Sequence, residues 1–231
     1  MNWFYYLSPL ILQTLIWVPT RLFFLFFGRL EIRGLKNLRG LKRGVIFATN
    51  HTSELDAIIV PASLPFLSRL MPMFYTSRER SFYKNCGWRQ YFYGGLFFKF
   101  WGAHSVKIGL MNYELSLPTH VKIINHGNTV LIFPEGSTTK DGNLKKGKGG
   151  VTYLAYKTSA PIVPIYISGF FKLTPREWFF RRRRVRITFG KPIPPTELFP
   201  MSQPVILDAN HDDFLDASQI VIAKIAELKS P

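Results

Sequence analysis

Short apolar runs closed by polar turns alternate along this chain with longer amphipathic stretches, a rhythm that predicts strands alternating with helices. Leu30-Glu31-Ile32-Arg33 alternates as an edge strand does, and Gly34 ends it. A basic, glycine-containing loop then leads to Gly44 and the apolar run Val45–Thr49. Further strands are predicted at Met73–Thr76, Val130–Phe133, Ile162–Ile167 and Val185–Phe189, with Pro164 placing the Ile162 strand at a sheet edge or a bulge. Helices are predicted over Ser53–Ala62, Arg78–Tyr93, Ser116–His126, Val151–Lys157 and Asp213–Leu228. Pro118 near the start of the third and Gly127 just past its end follow the usual asymmetry of helix termini. The alternation defines an α/β fold, a mostly parallel sheet covered by helices. Without an internal repeat or a low-complexity linker, residues 29–231 read as one domain.

Residues 1–28 follow a different pattern. Arg21 is their only charged side chain, among Trp3, Phe4, Tyr5, Tyr6, Trp17 and the run Leu22–Phe27. A signal peptide needs a basic start and a small-residue cleavage site, and both are absent. A spanning helix needs about 20 uninterrupted apolar residues, whereas Pro9, Gln13, Pro19 and Arg21 interrupt this stretch. Two short helices lying in one leaflet, with Trp and Tyr at headgroup level, fit the pattern. A buried N-terminal core helix is the alternative. The basic residues that follow (Arg29, Arg33, Lys36, Arg39, Lys42 and Arg43) favour a cytoplasmic position for the downstream domain, at the inner face of a cell membrane.

Composition adds a surface to this picture. Aromatic residues make up 16% of the 231 residues, and the net charge is +16. Together these describe a protein that meets anions beside something apolar: a phospholipid membrane first, nucleic acid as the competitor. The single Cys86 excludes an intrachain disulfide and a cysteine-rich zinc site, and reads as a packing residue. Arg181-Arg182-Arg183-Arg184, with Lys172, Arg176, Arg186 and Lys191 nearby, is the densest cluster of charge. It reads as a solvated loop, a contact for anionic headgroups or a dock for an acidic carrier protein. His104, His120, His126 and His211 lack metal-ligand spacing and read as structural or surface residues.

Two strand ends carry the chemistry. Asn50-His51-Thr52-Ser53-Glu54-Leu55-Asp56 follows one apolar run, and Phe133-Pro134-Glu135-Gly136-Ser137 closes another. Such ends are where open α/β sheets build their sites. Residues five apart on a continuous helix point about 140° apart. His51 and Asp56 therefore meet only if His51 lies in the strand-to-helix turn and Asp56 in the first helical turn, with Ser53 capping that helix. Asp56 would then fix the imidazole tautomer and leave the other nitrogen to take a proton from a hydroxyl. The alternative is a plain Ser53-x-x-Asp56 capping pair. In the second segment, Gly136 permits close backbone approach, and the amides and hydroxyls of Ser137, Thr138 and Thr139 suit a phosphate or an oxyanion. The alternative there is an ordinary surface turn.

Asn-His-x4-Asp with a downstream Phe-Pro-Glu-Gly-Ser resembles the glycerolipid acyltransferases, the 1-acyl-glycerol-3-phosphate acyltransferases and their relatives. Gly102-Ala103-His104-Ser105-Val106-Lys107 resembles the family's second motif and Ala160-Pro161-Ile162-Val163-Pro164-Ile165 its fourth. The resemblance implies a membrane-associated O-acyltransferase that moves a fatty acyl group from acyl-CoA or acyl-ACP (the acyl carrier protein) to the hydroxyl of a lysophospholipid, above all 1-acyl-glycerol-3-phosphate, without an acyl-enzyme. It implies His51 as general base, Asp56 as its orienting carboxylate, and Glu135, Gly136 and the amides near Ser137 around the acceptor phosphate. It implies no cofactor beyond the acyl thioester co-substrate, no metal and no nucleic-acid partner. Two positions depart from the family pattern: Ile108 and Thr138 stand where arginines that grip the acceptor phosphate are expected. Lys107, Lys140, Lys145 and Lys146 are the candidate replacements, although a lysine lacks the bidentate fork. A different lysolipid or aminolipid acceptor is the alternative substrate. A catalytically silent binding module is the alternative class, and a hydrolase lacks the Gly-x-Ser-x-Gly nucleophile elbow.

Overall fold

The computed structural model describes residues 4–78, 96–107, 109–110, 112–199 and 210–229. The helix expected at Arg78–Tyr93, apart from Arg78 itself, lies outside the described residues, as do Cys86 within it and Ile108. Seven strands form one sheet: β1 (Glu31–Arg33), β2 (Ile46–Thr49), β3 (Met73–Ser77), β4 (Ala103–Ser105), β5 (Thr129–Ile132), β6 (Ile162–Ser168) and β7 (Arg186–Phe189), in the order β1-β7-β6-β2-β5-β3-β4. Among the described residues only the β6–β7 pairing is antiparallel.

The central strands β2 and β5 are buried at every position, as their unbroken apolar runs require when both sheet faces are covered. Phe47 and Leu131 enter the core on one side of the sheet and Ile46, Ala48, Val130 and Ile132 the core on the other, the two-residue period of a strand. The first side is covered by α1 (Phe4–Leu15), α2 (Trp17–Phe26) and α3 (Asp56–Ser63). The second is covered by α6 (Pro118–Asn125), α7 (Gly150–Thr158) and α10 (His211–Glu227). The shorter helices are α4 (Leu96–Phe100), α5 (Tyr113–Ser116), α8 (Pro175–Phe179) and α9 (Pro195–Leu198), of which α9 buries Leu198 in the second core. The helix expected over Ser116–His126 is α6, which Pro118 opens as its first residue; the short α5 precedes it and ends at Ser116. A proline disfavours helical backbone at the residue before it, and Leu117 separates the two.

Pro164 lies on an interior strand, with β2 on one side and β7 on the other, so of the two expected placements the edge is corrected and the bulge stands. The physical reason is the neighbour's shape. The pairs Ile165↔Phe189 and Ile162↔Ile193 differ by one residue in register, so the partner chain bulges opposite Pro164. Pro164 accepts from Gly190 N–H at 2.8 Å, and a Cβ on Gly190 would lie 2.7 Å from the Pro164 ring. The missing donor faces a stretch where the ladder is already interrupted.

Helices α1 and α2 are both core and surface. None of the described helices is by itself long and apolar enough to cross a membrane; Leu7–Leu15 and Trp17–Phe26 form a pair bent by 46°. The polar interruptions of this stretch turn inward. The Gln13 amide donates to the Met73 and Trp101 carbonyls at 2.8 and 2.9 Å and accepts from Met73 N–H at 2.9 Å. Arg21 donates to the Ala62 carbonyl at 2.8 Å, in the last turn of α3, where helix carbonyls have no partner within the helix. The outer face leaves Leu15 and Leu22 70% and 59% exposed.

Two imidazoles face each other where β4 meets α6. His120 is fully buried with Nε2 3.3 Å from the Tyr75 carbonyl, and His104 stands edge-on, 6.2 Å away between ring centroids. Burial holds both well below the ordinary imidazole range, to about 4, with the charge of Lys99 adding to the effect on His104 and His104 adding to that on His120. Between about pH 6.5 and 4 the unfolded chain binds protons that the folded chain refuses, so stability falls as pH falls through that window. Melting temperatures at pH 7, 6 and 5 are expected to decrease stepwise. A flat profile would contradict the burial of this pair.

Candidate active site

The first strand end is built by Asn50. Its side-chain amide donates to the Ile167 carbonyl at 2.9 Å and accepts from Ile167 N–H at 2.7 Å, extending the β2–β6 ladder after its last backbone pair, Thr49↔Ile165. The chain then turns, and the His51 ring stacks on Phe133 with centroids 3.9 Å apart. Asp56 opens α3 and is completely buried. Its Oδ2 lies 3.1 Å from His51 Nδ1 and accepts from the backbone N–H of Thr52 at 2.6 Å and of Ser53 at 2.8 Å. Ser53 does not cap the helix with its hydroxyl, which accepts instead from Leu55 N–H at 3.2 Å. The carboxylate reaches back and holds the turn, so the capping acid and the carboxylate facing histidine are the same group. With Nδ1 facing Asp56, Nε2 is the ring nitrogen left free of that contact.

At the second strand end Glu135 is buried and faces away from solvent. One of its oxygens accepts from His51 N–H and the other from Lys145 N–H, each at 2.9 Å. Thr139 N–H donates to the His51 carbonyl at 2.8 Å. The acid thus ties the loop after β2 to the loop after β5. Gly136 has a φ of +69°, and a Cβ there would lie 2.9 Å from Cδ of Lys148. The left-handed backbone favours glycine here, and the lysine side chain crosses close over it.

A cleft of about 580 Å³ opens between these ends, lined by His51, Gly136, Ser137, Thr138 and Lys107. Its deeper wall is apolar, from Tyr75, Trp101, Val106, Leu117, Ile132 and Leu215. Glu135 and Lys140 do not line it. Thr139 accepts from Gly142 N–H and donates to the Asp141 carboxylate and the Asn143 carbonyl, a tight turn that leaves Lys140 exposed outside. Lys145 braces the turn from behind, donating to Ser137 Oγ at 3.1 Å and the Thr138 carbonyl at 2.6 Å. Lys146 is not among the cleft residues.

Two cations at the cleft escaped sequence reasoning. Lys148 lines it beside Gly136, and Arg78, just past the end of β3, donates from Nη2 to the Gly136 carbonyl at 3.3 Å. The signal for Arg78 was its position at the carboxyl end of a strand. The signal for Lys148 was a third lysine after Lys145 and Lys146, close to a glycine turn. His211, read as structural or surface, stacks on Tyr113 with centroids 4.9 Å apart and forms part of the cleft wall. Among the described residues there is no group of three or more His, Cys, Asp or Glu side chains that could hold a metal ion. A larger open groove, of about 870 Å³ between residues 35–43 and 65–70, contains neither an acid nor an imidazole.

Fold and site together define an α/β protein with a histidine–carboxylate pair at a strand's carboxyl end, facing a cationic, apolar-walled cleft. The Acyltransferase family model matches residues 29–168, which include both strand-end segments, and the chain belongs to that family. It is 27% identical over 176 residues to the chloroplastic 1-acyl-sn-glycerol-3-phosphate acyltransferase BAT2 of Brassica napus, covering 72% of this chain and 46% of that one. It is 32% identical over 158 residues to the 1-acyl-sn-glycerol-3-phosphate acyltransferase of Limnanthes douglasii, covering 67% of this chain and 50% of the other. Identity to the human beta 1-acyl-sn-glycerol-3-phosphate acyltransferase is 29% over 193 residues, 83% of this chain and 66% of that one. The chain spans about half the length of the first two. The crystal structure of the 1-acyl-sn-glycerophosphate acyltransferase PlsC from Thermotoga maritima shares the fold, with a TM-score of 0.58 at 17% identity over 95% of this chain and 82% of that one.

Proposed function

We propose that this protein transfers a fatty acyl group from an acyl thioester, acyl-CoA or acyl-ACP, to the free hydroxyl of a lysophospholipid, with 1-acyl-glycerol-3-phosphate as the acceptor and phosphatidate as the product. The observation that carries this reading is the His51–Asp56 contact of 3.1 Å at a cleft that also holds Arg78, Lys107 and Lys148. A general base with its tautomer fixed and three cations at the same mouth suit a substrate bearing both a hydroxyl and a phosphate.

In this mechanism His51 Nε2 takes the proton of the acceptor hydroxyl as its oxygen attacks the thioester carbonyl carbon. The tetrahedral intermediate collapses with cleavage of the C–S bond, and the imidazolium returns its proton to the leaving thiolate. Asp56 stabilises the imidazolium without taking its proton. The apolar wall receives an acyl chain, and Lys148, Lys107 and Arg78 take over the grip on phosphate that Thr138 cannot provide. The outward face of α1 and α2 rests on one leaflet, bringing the cleft to the plane from which a lipid acceptor enters.

Lys148→Met retains the aliphatic stem above Gly136 and removes the charge. It is expected to raise KM for 1-acyl-glycerol-3-phosphate by roughly 10- to 100-fold, the value of a hydrogen bond to a charged group, with a smaller change in kcat. Monoacylglycerol, which lacks the phosphate, is expected to be used poorly by both proteins and equally by each. Steady-state kinetics on the two acceptors check this. Equal KM values for the phosphorylated acceptor would point to another lysolipid or aminolipid.

A further inference from the structure

The arginine run at 181–184 divides into two pairs with different surroundings. Arg183 bridges Glu177 at 2.9 Å and donates to the Phe171 carbonyl at 2.6 Å, and Arg184 lies 3.7 Å from Glu31. These two hold the turn between α8 and β7 together. Arg181 and Arg182 form no ion pair with an acid among the described residues. Their guanidiniums lie over aromatic rings instead, Arg181 4.8 Å from the centroid of Phe26 and Arg182 5.8 Å from that of Phe180.

The rings beneath them are themselves exposed, Phe26 57% and Phe180 66% accessible. The neighbouring Phe179 is 72% accessible and continues the apolar outer face of α2 through Phe27, with ring centroids 5.5 Å apart. The turn is rigidly seated. A capping box between Thr174 and Glu177 starts α8, and Trp178 packs among Phe23, Phe24, Phe27 and Phe170. Gly28 makes room for that indole, since a Cβ there would lie 2.9 Å from it. Arg181, at a φ of +54°, is where the chain reverses.

We propose that Phe179–Arg182 is a second leaflet-contacting element, separate in sequence from α1 and α2, in which Phe179 and Phe180 enter the acyl boundary and Arg181 and Arg182 select anionic headgroups. The proposal rests on the reading of α1 and α2 as leaflet-facing. A cation lying on an exposed ring at the edge of an apolar surface can keep its head at headgroup level while its stem and the ring are buried. The unpaired charges complement an anionic phospholipid surface, each basic residue contributing severalfold to partition. An acidic carrier protein offers charge but no apolar layer to receive two phenylalanines.

The test is sedimentation of the full chain with phosphatidylcholine vesicles and with vesicles containing one quarter phosphatidylglycerol. Arg181→Gln with Arg182→Gln is expected to lower partition onto the anionic vesicles on the order of tenfold, and to leave partition onto phosphatidylcholine unchanged. Phe179→Ser with Phe180→Ser is expected to lower both. Transfer to a short-chain acceptor in free solution is expected to stay at the wild-type rate in both variants, and melting temperatures verify folding. If the phenylalanine variant does not fold, the arginine variant decides alone. Wild-type partition in the arginine variant overturns the proposal, as does loss of carrier-protein binding with vesicle partition intact. Failure of the wild-type chain to sediment with either vesicle overturns the leaflet reading of α1 and α2 as well, which separates the two failures.

Discussion

His51→Ala is expected to lower acyl transfer by about 10²- to 10⁴-fold, the range contributed by a positioned general base. The fold is expected to survive, because the structural bonds of this turn run through the backbone of residue 51. Its N–H donates to Glu135, its carbonyl accepts from Thr139, and both remain in the variant. What is lost is the imidazole, with its stacking on Phe133 and its contact with Asp56, whose carboxylate still accepts from the backbone N–H groups of Thr52 and Ser53. A melting temperature within a few degrees of the wild type, alongside the loss of rate, would separate chemistry from folding. Transfer at the wild-type rate would remove His51 from the reaction.

Asp56 allows a sharper dissection, because its carboxylate has two duties. Asp56→Asn keeps an oxygen that can accept from Thr52 and Ser53 N–H, but removes the charge that stabilises the imidazolium. It is expected to lose about 10²- to 10⁴-fold in rate with a modest loss of stability. Asp56→Ala leaves two loop amides and Nδ1 of His51 without their acceptor in a fully buried position. Each orphaned group costs about 1–3 kcal/mol, so this variant is expected to be destabilised by several kcal/mol as well as inactive. Rates and denaturant midpoints of the two variants, compared side by side, check this. Equal stability would mean that the turn does not depend on the carboxylate.

Much of this architecture was legible in the chain because its periodicity is local. The unbroken runs of β2 and β5 can only be buried on both faces, and a polar residue following such a run leaves the sheet at its carboxyl end. That logic located His51, Asp56 and the turn at Gly136. Pro164 was harder to place, since its tolerance depends on the bulge that Gly190 makes on a partner strand distant in sequence. Gln13 and Arg21 read as interruptions of an apolar segment, whereas they satisfy backbone groups of β3 and α3. Hydrophobic pattern does not reveal which carbonyls lack a partner. Lys140 and Lys148 illustrate the same limit. Both are lysines near the Glu-Gly-Ser turn, and only the path of the intervening loop, held by Thr139 and Glu135, decides which one reaches the cleft.

The central claim is a direct attack of the acceptor hydroxyl on the thioester, and stoichiometry tests it most directly. Purified protein, supplied with an acyl thioester and 1-acyl-glycerol-3-phosphate, is expected to release one free thiol for each acceptor molecule that gains an acyl group by mass. No acylated protein is expected to accumulate when the acceptor is withheld. Thiol release without acylation of the acceptor, or a stable acyl adduct on the protein, would contradict it.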